Sequence, residues 1–342
     1  MKNKPIKELP TFVNRTYRGG KLLKKYLGMA NTEDSFFPED WISSFTEAKN
    51  KEYTKNEGIT RVETPFGEKL ITEVIDSSSF GESRSDSGVL IKFLDAAERL
   101  GIQVHPDKKY AKDVFNSSYG KTECWHILDT REANEPASVY LGFKEYVTKE
   151  IWAELFNKQD IKGMLEAMHK FEVKKGDTIL VTGGTPHAIG SGCFLLEIQE
   201  PCDYTMRVEK TTLAGEKLTP MQVHYGVGEE KMLDCFNYTP RTREEIKKLF
   251  FLESREDNVN KAVNHLVTYS DTPCFKLDKV NTESITLKES SFITVIITKN
   301  GGKMLFDGGE FTLSQGDKFF IPAKCEITLE NAEALLCYPP EI

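Results

Sequence analysis

The sequence predicts a mainly β protein made of two related double-sheet barrels, the first carrying a small helical insert. Three observations predict it. Between Val89 and Phe143 the chain is a series of short apolar runs, rich in β-branched and aromatic residues and broken by Gly, Pro and Ser. One stretch, Thr148 to Phe171, switches to helical spacing. A pattern of Gly-Asp turn, apolar strand, Pro-containing corner and second strand occurs twice, as "VKKGDTILVTGGTPHAIG" from Val173 and "LSQGDKFFIPAKCEITL" from Leu313. With 342 residues the chain is long for one ordinary domain and suits two. The division falls at 1–255, with the insert at 148–171, and 256–342.

In chain order, "DSSSFGESRSDSG" (Asp76 to Gly88) reads as a long exposed loop and "VLIKFLDA" (Val89 to Ala96) as a buried strand. A polar turn leads to a strand holding Gln103 and His105. "ECWHILDT" and "ASVYLGF" are two further strands, and all are spaced like neighbours in one antiparallel sheet. Thr148 is a good N-cap for two short helices whose apolar stripe is Ile151, Trp152, Leu155 and Phe156, then Ile161, Met164, Leu165 and Met168. His169 falls at the end of this insert, where a helix dipole would favour it. Thr242 to Asn260 reads as a helix followed by a polar linker. The last segment carries no recognisable chemistry and is expected to cover sheet edges of the first domain.

The net charge of −8 argues against general nucleic-acid binding, which needs a basic face. No run of about 18 apolar residues suggests a membrane span, and "MKNKPIKELPTF" has no apolar signal core. Seven scattered cysteines without a CxxC pair fit a reducing cytoplasm. A small molecule is the expected partner.

Gln103 and His105 are two apart, so on a strand they face one side with Cβ atoms roughly 7 Å apart. Glu123 on the next strand and His187 at the corner of the first repeated hairpin complete a set of two imidazoles, a carboxylate and an amide. The second copy has Ala323 after its Pro, so the chemistry belongs to the first. The set suits zinc with an open position, and manganese, iron and cobalt share the same ligand types. Each residue alone also has an ordinary reading, a hydrogen-bonded core histidine or a solvated strand carboxylate.

"LIKFLDAAERLGIQVHPD", "KTECWHIL" and "GGTPHAIGSGCFLLEIQEPCDYTMRV" together resemble blocks of the phosphomannose isomerase family, which has the cupin fold, a double-stranded β-helix or jelly roll. The resemblance implies one zinc ion held by Gln103, His105, Glu123 and His187. It implies interconversion of mannose 6-phosphate and fructose 6-phosphate through an enediolate, with Arg207 on the developing charge and Lys121 or Glu197 moving the proton. Beside a cation the ammonium form of Lys121 would be disfavoured. The chain departs from the family pattern around the substrate. Gly101 stands where many members have a serine linked to phosphate, Arg18 replaces a Trp, Ile42 a Glu, and a later basic residue after Arg207 is missing, with Lys210 and Lys217 as replacements to weigh. An isomerase of another or unphosphorylated sugar, a non-catalytic metal-dependent sugar-binding paralogue and a metal-dependent oxygenase are the alternatives. Gln103 fits the oxygenase poorly.

Overall fold

A computed structural model describes residues 4–132 and 135–341. The outermost positions of the two expected spans, 1 and 342, lie outside them. The described chain is mainly antiparallel β and forms three sheets. A five-stranded sheet orders Met168–Glu172, Ser138–Phe143, His187–Ile189, Gln103–Val104 and Met206–Arg207 side by side. A seven-stranded sheet runs Phe251–Leu252, Thr178–Val181, Glu123–Thr130, Cys193–Gln199, Leu90–Asp95, Glu39–Ile42 and Phe12–Val13.

The four apolar runs from Val89 to Phe143 are therefore not neighbours in one sheet. From Leu90 onward, consecutive strands mostly switch between these two sheets, the winding a double-stranded β-helix requires. Leu90–Asp95 and Glu123–Thr130 both flank Cys193–Gln199, and Gln103–Val104 and Ser138–Phe143 both flank His187–Ile189. Strand partners lie more than a hundred residues apart in places, as for Leu90 and Gln199, which local spacing does not reveal.

The packing is layered. Val139, Leu141 and Ile189 of the five-stranded sheet meet Trp125, Ile127, Ile179 and Leu195 of the seven-stranded sheet. On its other face the seven-stranded sheet packs Ile91, Phe93, Phe194 and Leu196 against Ile296, Phe320 and Leu335 of the third sheet. Burial on both faces explains why Leu90–Asp95 and Cys193–Gln199 are continuous apolar runs rather than alternating ones. The outer face of the five-stranded sheet is covered by the insert, with Trp152, Phe156 and Met164 packed on Phe143, Val104 and Ala188.

The insert is two helices, Lys149–Lys158 and Ile161–Glu166, separated by Gln159 in the left-handed region. Thr148 caps the first by accepting from the Ile151 N–H at 3.3 Å. The helical part ends earlier than 171, because Met168–Glu172 is a strand paired with Ser138–Phe143. His169 is therefore not on a helix end; its Nε2 lies 2.9 Å from the Arg241 carbonyl oxygen. After the helix Arg243–Phe250, capped by Thr242 and Glu245, the chain pairs Phe251–Leu252 onto Thr178–Val181 instead of running on as a linker. The Asp76–Gly88 segment is not wholly exposed. Phe80, 7 % exposed, sits edge-on to Phe45, Phe292 and Phe320.

The third, eleven-stranded sheet contains the residues from Arg255 onward together with Ile6–Leu9, Arg61–Thr64 and Gly67–Leu70. Ile6–Leu9 pairs with Lys318–Ile321, so the beginning of the chain completes the C-terminal sheet across the 255/256 division. A buried ion pair between Lys318 and Asp40 ties this sheet to the seven-stranded one.

His126 lies on Glu123–Thr130, an interior strand of the seven-stranded sheet, with Nδ1 2.9 Å from Thr178 Oγ1. Burial lowers its pKa from 6.5 to about 4. It stays neutral in the folded chain and charges at its ordinary value when unfolded. Its contribution to stability is present above pH 6.5 and is lost as pH falls toward 4, a loss of about 3 kcal/mol. Denaturant melts at pH 7 and pH 4 should show a smaller acid loss in His126→Phe than in the natural sequence; equal losses would contradict this role.

Candidate metal centre

The pairing register builds the site. In the five-stranded sheet Gln103 stands directly opposite His187 on one side and Arg207 on the other. These three side chains form a row across the sheet, and His105 follows two residues after Gln103. Glu123 begins its strand in the facing sheet, where Glu197 is directly opposite Lys92. Two facing sheets thus deliver residues that are up to 115 positions apart in sequence, from Lys92 to Arg207, to one small space.

One ligand atom each from His105, Glu123 and His187 lies within 4.8 Å of the other two, and all three residues are buried. Both imidazoles are oriented from behind. His105 Nδ1 is 2.8 Å from the Tyr204 carbonyl oxygen and His187 Nδ1 is 2.9 Å from that of Thr185. Those carbonyls accept the Nδ1–H protons, which leaves both Nε2 lone pairs facing the cluster. His187 Nε2 is 3.4 Å from Glu123 Oε1, and His105 Nε2 is 3.3 Å from Glu123 Oε2. The Gln103 amide reaches His187 Nε2 at 3.1 Å, and rotation of the amide puts its oxygen there instead. Burial holds both histidines below their ordinary pKa, the neutral form a metal needs. Two neutral imidazoles, a carboxylate and an amide oxygen converging in a buried pocket fit a divalent cation.

Lys121 enters the same space. Its ammonium lies 2.8 Å from His105 Nε2 and 3.4 Å from Glu197 Oε1, and it also contacts Glu123. Burial pulls its pKa down, but Glu123 and Glu197 outweigh burial and hold it above the ordinary value. Among the protein's own groups the ammonium is favoured. Glu123 is held below its ordinary value because Lys121 and His187 overcome burial, whereas burial raises Glu197.

Sequence reasoning missed the continuation of this cluster. Opposite charges alternate from Glu123 through Lys121, Glu197, Lys92, Glu39 and Arg15 to Asp203. Burial would raise Glu39, but Arg15 and Lys92 hold it at about 2. Glu39 also accepts from Tyr17 Oη at 2.7 Å and Trp41 Nε1 at 2.8 Å. A signal was present for Lys92, the one basic residue of the largely apolar "VLIKFLDA". Arg207 differs from these cations. Its Nη1 donates to the Gln222 carbonyl at 2.6 Å, and among the described residues no carboxylate pairs with it. His126, His169, His224 and His265 are not part of the cluster.

No family model matches the chain. It is 29 % identical over 255 residues to the probable mannose-6-phosphate isomerase GmuF of Bacillus subtilis, covering 73 % of this chain and 75 % of that one. The crystal structure of the mannose 6-phosphate isomerase from Bacillus subtilis superposes with a TM-score of 0.75 at 22 % identity, over 97 % of this chain and 98 % of the other. These similarities support assignment to the phosphomannose isomerase family. A zinc-bound mannose 6-phosphate isomerase shares the fold at a TM-score of 0.73 and 14 % identity, over 98 % of this chain and all of that one. As far as these structures go, the likeness is one of fold, and the reading of the site rests on the residues above. No described helix is long and apolar enough to cross a membrane.

Proposed function

We propose that the chain is a zinc-dependent aldose–ketose isomerase interconverting mannose 6-phosphate and fructose 6-phosphate, acting in the cytoplasm with one zinc per chain. The observation that carries this reading is the pair of buried imidazoles, each fixed by a backbone carbonyl so that both Nε2 atoms face Glu123. Gln103, His105, Glu123 and His187 would hold the ion. Zinc would supply positive charge that polarises the sugar's carbonyl and hydroxyl oxygens.

The remaining groups divide the work. Glu197, buried and facing the cluster beside Lys92 and Lys121, takes the proton from the carbon next to the carbonyl and returns it to the neighbouring carbon. Lys121 shares this pocket, is the other group within reach of the moving proton, and donates to the oxygen that changes charge. Arg207 aims unpaired donors into the pocket and stabilises the enediolate oxygens. A metal-clamped, non-catalytic sugar binder would not need Lys121, Glu197 and Arg207 brought to one cavity, as they are here.

The experiment is direct. Metal-stripped protein reloaded with zinc should convert mannose 6-phosphate to fructose 6-phosphate, and a chelator should abolish the conversion. Binding of the sugar phosphate without turnover would overturn the catalytic reading, and turnover of free mannose alone would move the substrate to an unphosphorylated sugar.

A further inference from the structure

The ring of His105 is turned by the Tyr204 carbonyl oxygen, 2.8 Å from its Nδ1. Tyr204 itself lies outside the strands, in the stretch 202–205 between Cys193–Gln199 and Met206–Arg207. Strand pairing does not hold that peptide, so its placement has to come from side chains.

The Tyr225 hydroxyl spans it. It donates to the Asp203 carbonyl oxygen at 2.8 Å and accepts from the Thr205 N–H at 3.0 Å, one residue to either side of Tyr204. Burial pushes its pKa up to about 12, so the hydroxyl keeps the proton it donates. The rings are packed as well. Tyr204 stacks on Phe115 at 4.4 Å, and Tyr225 stands edge-on to both, 5.4 Å from Tyr204 and 5.9 Å from Phe115. The Asp203 carboxylate is held by Arg15 and by the Lys49 N–H at 3.0 Å. Those contacts fix side chains, whereas the Tyr225 hydroxyl grips the backbone on both sides of the carbonyl that His105 uses.

Tyr225 is a costly residue for its place. It ends the helix Pro220–His224 with φ 52°, in the left-handed region that glycine or asparagine occupies with less strain. A bulky side chain kept at such a position points to a role beyond ending the helix. The same helix supplies the Gln222 carbonyl that takes Arg207 Nη1 at 2.6 Å, and its start is fastened by a capping box of Thr219 and Gln222. One short helix thus serves Arg207 directly and, through Tyr225, His105.

We propose that Tyr225 is a positioning residue of the metal centre, its hydroxyl holding the Tyr204 carbonyl in place so that His105 keeps Nε2 on the ion. The proposal rests on reading the cluster as a zinc site. Tyr225→Phe removes the hydroxyl and keeps the ring packing. Its zinc dissociation constant, measured by competition with a chromogenic chelator, should rise about tenfold, the effect of losing an outer hydrogen-bond partner. The His105 Nδ1–H proton, observed by NMR of metal-free protein carrying isotope-labelled histidine, should be protected from exchange with water in the natural sequence and exchange faster in the variant. Tyr238→Phe controls for loss of a tyrosine hydroxyl as such. Tyr238 Oη donates to the Leu233 carbonyl at 2.9 Å and its ring stacks on Phe143, and its loss should leave both readings at their natural values. A zinc constant within about twofold of the natural one in Tyr225→Phe, a His105 proton exchanging no faster, or an equal rise in Tyr238→Phe overturns the assignment. If the natural sequence takes up no zinc, the metal reading fails separately. The His105 proton of the metal-free proteins then decides: faster exchange in Tyr225→Phe supports the clamp, and equal exchange overturns it.

Discussion

Replacing His187 by alanine is expected to cost the protein its metal and its turnover together. His187 is fully buried, its Nδ1 is committed to the Thr185 carbonyl, and its Nε2 is one of three ligand atoms gathered within 4.8 Å. No other imidazole is placed to take over, since His126 bonds Thr178 and His169 lies by the Arg241 carbonyl. Zinc affinity should fall by more than about 100-fold, beyond what loss of an outer hydrogen-bond partner costs. Zinc content after gel filtration and fructose 6-phosphate formation, measured on the same sample, check this. Circular dichroism controls for folding. Full zinc occupancy with natural turnover would remove His187 from the ligand set.

Arg207→Ala is expected to separate the two properties that His187→Ala loses together. Arg207 is in the same row as Gln103 but is not among the clustered donors, and its guanidinium is held at one edge by backbone carbonyls of Gln222 and Thr205. Zinc content should stay at one equivalent per chain in the variant, while kcat falls by about 10²–10³ with a smaller change in KM, as for removal of a group that acts on developing charge. Loss of zinc in this variant would show that the arginine holds the sheet together instead.

What the sequence revealed and what it hid divide along one physical line. Gln103 and His105 were legible because a strand fixes which residues share a face. Thr148 was legible because a cap acts within three residues. The insert's end was missed because Met168, Phe171 and their neighbours are apolar in either helix or strand, and pairing with Ser138–Phe143 decides for strand. The sheet order was missed because hydrogen-bond partners such as Leu196 and His126 are seventy residues apart. The same reason hid Glu39, Arg15 and Asp203, which meet Lys92 and Glu197 only once five segments are layered. Phe80 was concealed by its polar neighbours, although a single ring inside a Ser-rich loop was the available hint.

The central claim is that four side chains from two facing sheets share one divalent ion. A crystal of the zinc-loaded protein, measured at the zinc absorption edge, tests it directly. The account predicts one anomalous peak about 2.0–2.2 Å from Nε2 of His105 and His187 and from a Glu123 oxygen, with the Gln103 amide oxygen turned toward it. A peak elsewhere, or one bound by a cysteine sulfur at about 2.3 Å, would contradict it.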